Sequence, residues 1–511
     1  MLAWTIYISF LGVLVLMLLP RENARAARIV ALLAAIIGFI VALLGAVKLG
    51  PGFNPLCNVS WIPSLGIEYH LAADGISLTL VLLTGVAAVT GVLFSWNVEH
   101  RAKEFFAFYL ALIGGVYGVF LSFDLFLLFV FYELAIIPKY FLIAIWGSTR
   151  REYGAMKLAL YSFVGSAMVL IGIVAAYVVA GAKTASLLEL AKYPFPESFQ
   201  YWVFPLVFVG FAILAGLWPF HTWAPTGHVA APTAASMLLA GVVMKLGAYG
   251  SLRVAMALFP LGLKAWQGTF AVLAVIGIVY GAMVALTQKD FKFVIGYSSV
   301  SHMGFVLLGL MTLNEIGLSG AVLQMFSHGI IASLLFAVVG RMVYDRTHTR
   351  ELDALEAMNL VKTIPFAAVT FVIASVASMG LPGFSGFVAE FQVLIGAWSA
   401  FPTIAVFAGL GIVIGVAYTM RVLQKAFFGE QSGSGNPDSI PAHSPAGEEI
   451  SGHGSQPSRA LEPISVPERI GAVILITATL LIGLYPRLLL DLIVPSFSSS
   501  LFDGLRKAGG L

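Results

Sequence analysis

The chain has 511 residues, of which 59% are hydrophobic and only 10% charged, with a net charge of +3 and a mean hydropathy of +0.95. That composition excludes a water-soluble globular enzyme and a disordered chain, offers no basic surface for a nucleic acid, and leaves a protein built of membrane-spanning helices. So small a net charge carries little information; the placement of the cations carries more.

Crossing a bilayer takes about 20 apolar residues. Read by length and polar interruption, the sequence predicts spans at 2–20, 27–47, 76–95, 106–122, 125–146, 156–181 and 203–222, then at 229–257, 267–287, 293–313, 316–344, 362–399, 403–428 and 468–488. The fold class expected is therefore all-α, an integral membrane protein of fourteen spans. MLAWTIYISFLGVLVLMLLP has neither a basic head nor a small-residue cleavage site, and is expected to stay as span 1. Cys57, the single cysteine, has no partner for an internal disulfide and leaves the redox compartment open. Span 11 is long enough to tilt or protrude. Span 12 exceeds a straight crossing, which predicts a break at Leu381-Pro382-Gly383, and Trp218-Pro219 predicts another in span 7.

Those breaks lie five spans apart, the arrangement expected of inverted repeats that each own a discontinuous helix. The chain then divides into spans 1–3 (1–104), a first repeat of spans 4–8 (105–257), a second of spans 9–13 (258–428), a loop (429–467), and span 14 with its tail (468–511). The loop is rich in Gly, Ser, Pro and His and reads as a flexible connector. Its isolated His443 and His453 do not make a metal site.

Loops after spans 1, 3, 5, 9, 11 and 13 carry eighteen of the 28 cations, against five in the opposite set and three in the tail. Basic residues concentrate on the cytoplasmic side, so both termini are expected on the other side, in a bacterial inner membrane. Only Lys139 and Lys245 then remain, and both are expected to be intramembrane.

Three charged side chains lie deep in apolar runs: Glu133 in span 5, Lys245 in span 8 and Glu390 in span 12. A charge at the bilayer centre costs about 2.5–3.5 kcal/mol on insertion scales. Proton and ion carriers accept that cost because the group must change its protonation or partner.

The strings FHTWAPTGHVAAPTAASMLLAGVVMKLGAYG, DFKFVIGYSSVSHMGFV, QMFSHGIIASLLF and GLPGFSGFVAEF occur in that order. Between Phe106 and Gly429 the sequence thereby resembles the antiporter-like membrane subunits of proton-pumping NADH:quinone oxidoreductase, respiratory complex I, and among them the chain M or subunit 4 family. Glu390 carries that distinction, since the sister chains L and N and the Mrp antiporter subunits have lysine there. The sequence also runs only about twenty residues past span 14, without the long lateral helix of chain L.

The resemblance implies a proton relay. Glu133 corresponds to a glutamate that pairs with a lysine, and opening or closing such a pair shifts its basicity. Lys245 corresponds to the central lysine, His302 and His328 to bridging histidines, and Glu390 to the terminal exchanger. Neutral imidazole accepts a proton on one nitrogen while donating from the other, which suits a bridge. His221 and His228 flank the span 7 break, and two readings stand for them: feeding protons or bracing the break. For Lys292, beside Asp290 at the start of span 10, anchoring or a salt bridge is the reading preferred.

One position departs from the family pattern. The lysine expected seven residues before the first histidine of H-x-W-x-P-x-x-H is Leu214, so Glu133 lacks its usual partner. Lys139, six residues after Glu133, is a candidate substitute, although six residues place the two about 240° apart around an ideal helix. Anchoring near Arg150 is the competing reading of Lys139.

No iron–sulfur cysteine cluster, dinucleotide loop or P-loop is present, so no cofactor is expected in this chain. The resemblance implies flavin, iron–sulfur clusters and quinone in partner subunits, chain L-like and chain N-like membrane neighbours, and translocase activity belonging to the assembly. The competing function is a subunit of a variant complex or of an Mrp-type cation/proton antiporter, or a scaffold with a modified uptake site.

Overall fold

The computed structural model describes residues 1–429, 461–507 and 509. His443, His453 and Arg459, with most of the 429–467 loop, lie outside the described residues. The fold is a helical bundle. Among the described residues twelve helices are long and apolar enough to cross a membrane. Span 1 (Trp4–Leu18) and the first half of span 12 (Pro365–Ser378) are shorter apolar helices.

Both expected breaks are present. Span 7 runs Glu197–Ala215, stops at Gly216 and resumes as Trp223–Ala230. Gly216 has φ +87°, a left-handed backbone that glycine adopts without penalty and that closes the helix. A helix that ends inside the bundle leaves carbonyls unpaired. Here the Trp223 indole N–H donates to the Ile213 carbonyl at 2.8 Å. In span 12 the break falls between Pro365–Ser378 and Ser385–Ala400, with Gly380 and Gly383 at φ +74° and +99° around Pro382.

Span 8 (Thr233–Met256) is continuous and buried beyond the partly exposed Thr233 at its start, but its backbone widens to π-helix at Leu239–Val243 and Ser251–Met256. His228 thus belongs to the last turn of span 7, and Lys245 lies midway along span 8. Span 11 extends from Glu315 to Thr347, with a π segment at Ala337–Tyr344. Side-chain caps start several spans: Asn23, Asp74, Asp124, Asp290 and Asn314 accept from backbone N–H groups of their first turns.

Three features differ from the sequence reading. The loop after span 2 forms an antiparallel hairpin, Asn54–Ile62 with Ile67–Ala73, so the fold is not purely helical. The tail after span 14 holds a further helix, Arg487–Ser496, whose Ser496 hydroxyl donates to the Pro51 carbonyl at 3.0 Å beside that hairpin. Arg253, counted above as a loop cation, lies within span 8, fully buried and paired with Asp74. Aromatic faces of Phe123, Tyr249 and Phe502 surround its guanidinium.

The cation-rich loops meet one another on a single face. Arg350 bridges to Asp290 at 3.2 Å and Arg346 to Glu468 at 2.7 Å. Lys103 donates to the Met17 and Leu19 carbonyls at 2.7 and 2.8 Å. On the same face the hydrogen bond and charge of Lys425 hold the exposed Asp353 carboxyl below its usual range.

Candidate functional site

Lys245 is the centre of the buried polar groups. Its ammonium donates to the Ala240 carbonyl, one turn back in the π segment, and meets His328 Nδ1 at 2.7 Å. The widened turn leaves that carbonyl free to turn toward the lysine, which is how π segments often serve functional sites. Across from it on span 11, His328 faces His302 of span 10 with ring centroids 5.5 Å apart. His302 Nδ1 is 2.6 Å from Glu390 Oε1, and its Nε2 is 3.1 Å from the Ser378 hydroxyl. Gln324 donates to the same Glu390 oxygen at 2.8 Å.

A cavity of about 10 Å³, enough for about one water, lies among Ser298, Ser299, His302, His328, Ser378 and Glu390. Four spans therefore align Lys245, His328, His302 and Glu390 in one line, each group in contact or ring-to-ring with the next. Glu390 is 4% exposed. The backbone turn at Gly380 approaches its other carboxylate oxygen, so the helix break and the last acid of the line form one feature.

Glu133 and Lys139 are arranged differently. Glu133 is half-buried with Oε1 unpartnered, and Lys139 is 1% exposed with its ammonium unpartnered among the described residues. They lie close enough to act on each other electrostatically, and Ser166 also faces Glu133, yet they form no ion pair within 4.0 Å. Burial of the Lys139 nitrogen corrects the anchoring reading, since an anchor would carry its ammonium to the surface. The Tyr132 and Ser162 hydroxyls nearby on spans 5 and 6 are also unpartnered. Leu214 is 1% exposed and brings no charge to this region.

The two histidines of the span 7 break separate. His221 packs against Tyr280 at 5.3 Å and Tyr297 at 6.3 Å, near Lys157 and away from the line. His228 is fully buried against Phe336 at 5.2 Å, and lies within electrostatic reach of both Lys245 and Lys292. Lys292 does not pair with Asp290, whose carboxylate caps span 10 and binds Arg350. It points inward, 2% exposed, and donates to the Ala231 carbonyl at 3.0 Å. That overturns the anchoring and salt-bridge reading of Lys292.

Sequence reasoning missed Gln324, Ser378 and the Asp74–Arg253 pair. Gln324 was within reach of it: the residue lies four before His328 in QMFSH, on the same helix face. Ser378 becomes relevant only through packing of span 12 against span 10, which no local pattern reveals.

Residues 122–415 match the family described as NADH:quinone oxidoreductase/Mrp antiporter, transmembrane. The chain belongs to that family. It is 37% identical to the NADH-quinone oxidoreductase subunit M of Rhodobacter capsulatus over 488 residues, covering 92% of this chain and 90% of that one. Its fold superposes with a TM-score of 0.85 on a chain of respiratory complex I from Thermus thermophilus with bound NADH, at 28% identity and 99% coverage of both. A chain of the Mrp complex from Dietzia matches with a TM-score of 0.83 over 100% of this chain and 98% of that one, at 23% identity, and so shares the fold.

For this antiporter-family chain, the matched segment holds Glu133, Lys139, Lys245, His302, His328 and Glu390, and excludes the hairpin and spans 1–3. The buried ionisable line thus falls wholly within the family's common core. Arg253 is inside that segment, but its partner Asp74 is not.

Proposed function

We propose that this chain is the M-type membrane subunit of an NADH:quinone oxidoreductase, and that it carries protons across the bilayer along Lys245, His328, His302 and Glu390. The observation that carries the reading is the unbroken contact line from the centre of span 8 to the break in span 12. A proton taken by Lys245 passes to His328 Nδ1, from the other nitrogen of that ring toward His302, and from His302 Nδ1 to the Glu390 carboxylate. Each transfer returns its donor to the starting protonation state once the imidazoles reset.

Glu390 releases the proton beside the broken helix, where the backbone turns at Gly380 and Gly383. Glu133 and Lys139 act as the substitute charge pair at the head of the line. Closed, the pair holds both groups ionised; open, it favours neutral forms and alters the field on Lys245. Flavin, iron–sulfur clusters and quinone belong to partner subunits, and chain L-like and chain N-like subunits flank this one in a bacterial inner membrane. The two five-span repeats each contribute one broken helix and one buried acid.

The test is proton uptake by inside-out vesicles carrying the whole assembled complex, followed with a pH-sensitive dye during quinone reduction. Lys245→Ala is expected to lower protons moved per electron pair and to slow turnover at least tenfold. An unchanged ratio with Lys245→Ala sinks the relay reading.

A further inference from the structure

On the face where the cation-rich loops meet, a vestibule of about 290 Å³ reaches into the bundle. Its walls include Asn97, Glu99, His100, Thr233 and Asp345, and Lys292 lies with Ala231 at the buried end. Its two acids are paired, Glu99 with Arg28 at 3.5 Å and Asp345 with Arg341 at 3.0 Å, so the polar wall carries no excess of cations at its rim. His228 lies three residues before Ala231, and the Ser236 hydroxyl joins their carbonyls at 2.7 and 3.2 Å; its ring is fully buried with both nitrogens unpartnered, within electrostatic reach of Lys292 and Lys245.

We infer that this vestibule is the mouth through which protons reach the line, that Lys292 is its gate, and that His228 carries the proton onward to Lys245. The inference rests on the relay reading and extends it to the uptake side. Lys292 closes the passage while its ammonium holds the Ala231 carbonyl. Its neutral amine takes a proton from vestibule water, and the ammonium gives that proton to His228. The imidazolium passes it to Lys245, leaving Lys292 and His228 as they began. This route bypasses the site where Leu214 replaces a lysine, so the pair Glu133 and Lys139 tunes the line rather than loading it.

Two measurements on the intact complex test the gate. Lys292→Arg keeps the charge and a donor for the Ala231 carbonyl, but arginine does not release a proton in a protein. If Lys292 passes protons, both Lys292→Arg and Lys292→Met slow proton uptake at least fivefold in vesicles containing normal amounts of assembled complex. If Lys292 only braces the break, the arginine variant pumps at the native rate and the inference is overturned. The second measurement uses Thr233→Cys in a Cys57→Ser background with a membrane-impermeant thiol reagent. Labelling from the vestibule face is expected to cut proton uptake at least fivefold, while labelling from the opposite face leaves it unchanged. Complete labelling with native pumping rejects the vestibule as the mouth. Loss of pumping in Lys245→Ala with native pumping in every Lys292 variant overturns this inference alone, whereas native pumping in Lys245→Ala removes the relay beneath it.

Discussion

In spans 8 to 12 the buried ionisable groups touch one another: Lys245 meets His328, and His302 meets Glu390, which also receives Gln324. In spans 5 to 7 the comparable groups stand apart, with Glu133 Oε1, Lys139 Nζ and both nitrogens of His221 lacking any protein partner among the described residues. Groups fixed at hydrogen-bond distance exchange protons in one arrangement, with little movement. An isolated buried charge is expensive and lowers its energy by changing protonation or by moving toward a partner. The paired region therefore has the properties of a conductor, and the unpaired Glu133 and Lys139 those of a control element.

The sharpest way to break that contrast is to remove the acid that ends the paired region. Glu390→Gln keeps the shape but takes no proton, and it leaves His302 Nδ1 facing an amide. The line then ends without a group that can take the proton from His302. Proton uptake by vesicles is expected to fall at least a hundredfold, with the complex still assembled. Pumping within twofold of native would mean that the contact line is structural.

A smaller effect is expected in the unpaired region. Lys139→Leu and Glu133→Gln should each slow pumping about tenfold, and the double variant should be no slower than either, because members of one interacting pair are not additive. Additive losses, about a hundredfold in the double variant, would show that the two residues act separately. Restoring lysine at Leu214 in the Lys139→Leu background is expected to recover most of the rate if a charge on span 7 substitutes for one on span 5.

Much of this contrast was legible in the sequence. Apolar run lengths located the spans, and Pro219 and Pro382 located the two breaks, because a membrane forces every backbone group to find a partner and makes interruptions conspicuous. The relay residues stood out as charges in apolar runs. What stayed hidden depends on packing between distant spans. Lys292 looked like an anchor because it stands two residues from Asp290 at the start of span 10, and only the turn of its side chain toward Ala231 shows otherwise. Arg253 looked like a loop cation because Asp74, its partner, lies 179 residues away. The hairpin carried alternating Val59, Trp61, Ile67 and Tyr69 around a Pro-Ser-Leu-Gly turn, a strand signal outweighed by the helical texture on both sides.

The smallest effect separates conduction from support within the paired region itself. Gln324 donates to Glu390 but cannot carry a net proton along the line, so it is a positioning residue. Removing one hydrogen bond to a buried charged group is worth about 1–3 kcal/mol. Gln324→Leu should therefore slow pumping roughly tenfold, because Glu390 loses the donor that holds its carboxylate in place. Gln324→Glu should do worse than leucine, since a second carboxylate beside Glu390 cannot donate when ionised and repels it. A leucine variant that pumps at the native rate would show that Gln324 fills space between the helices without acting on the acid, and would leave His302 as the partner that positions Glu390.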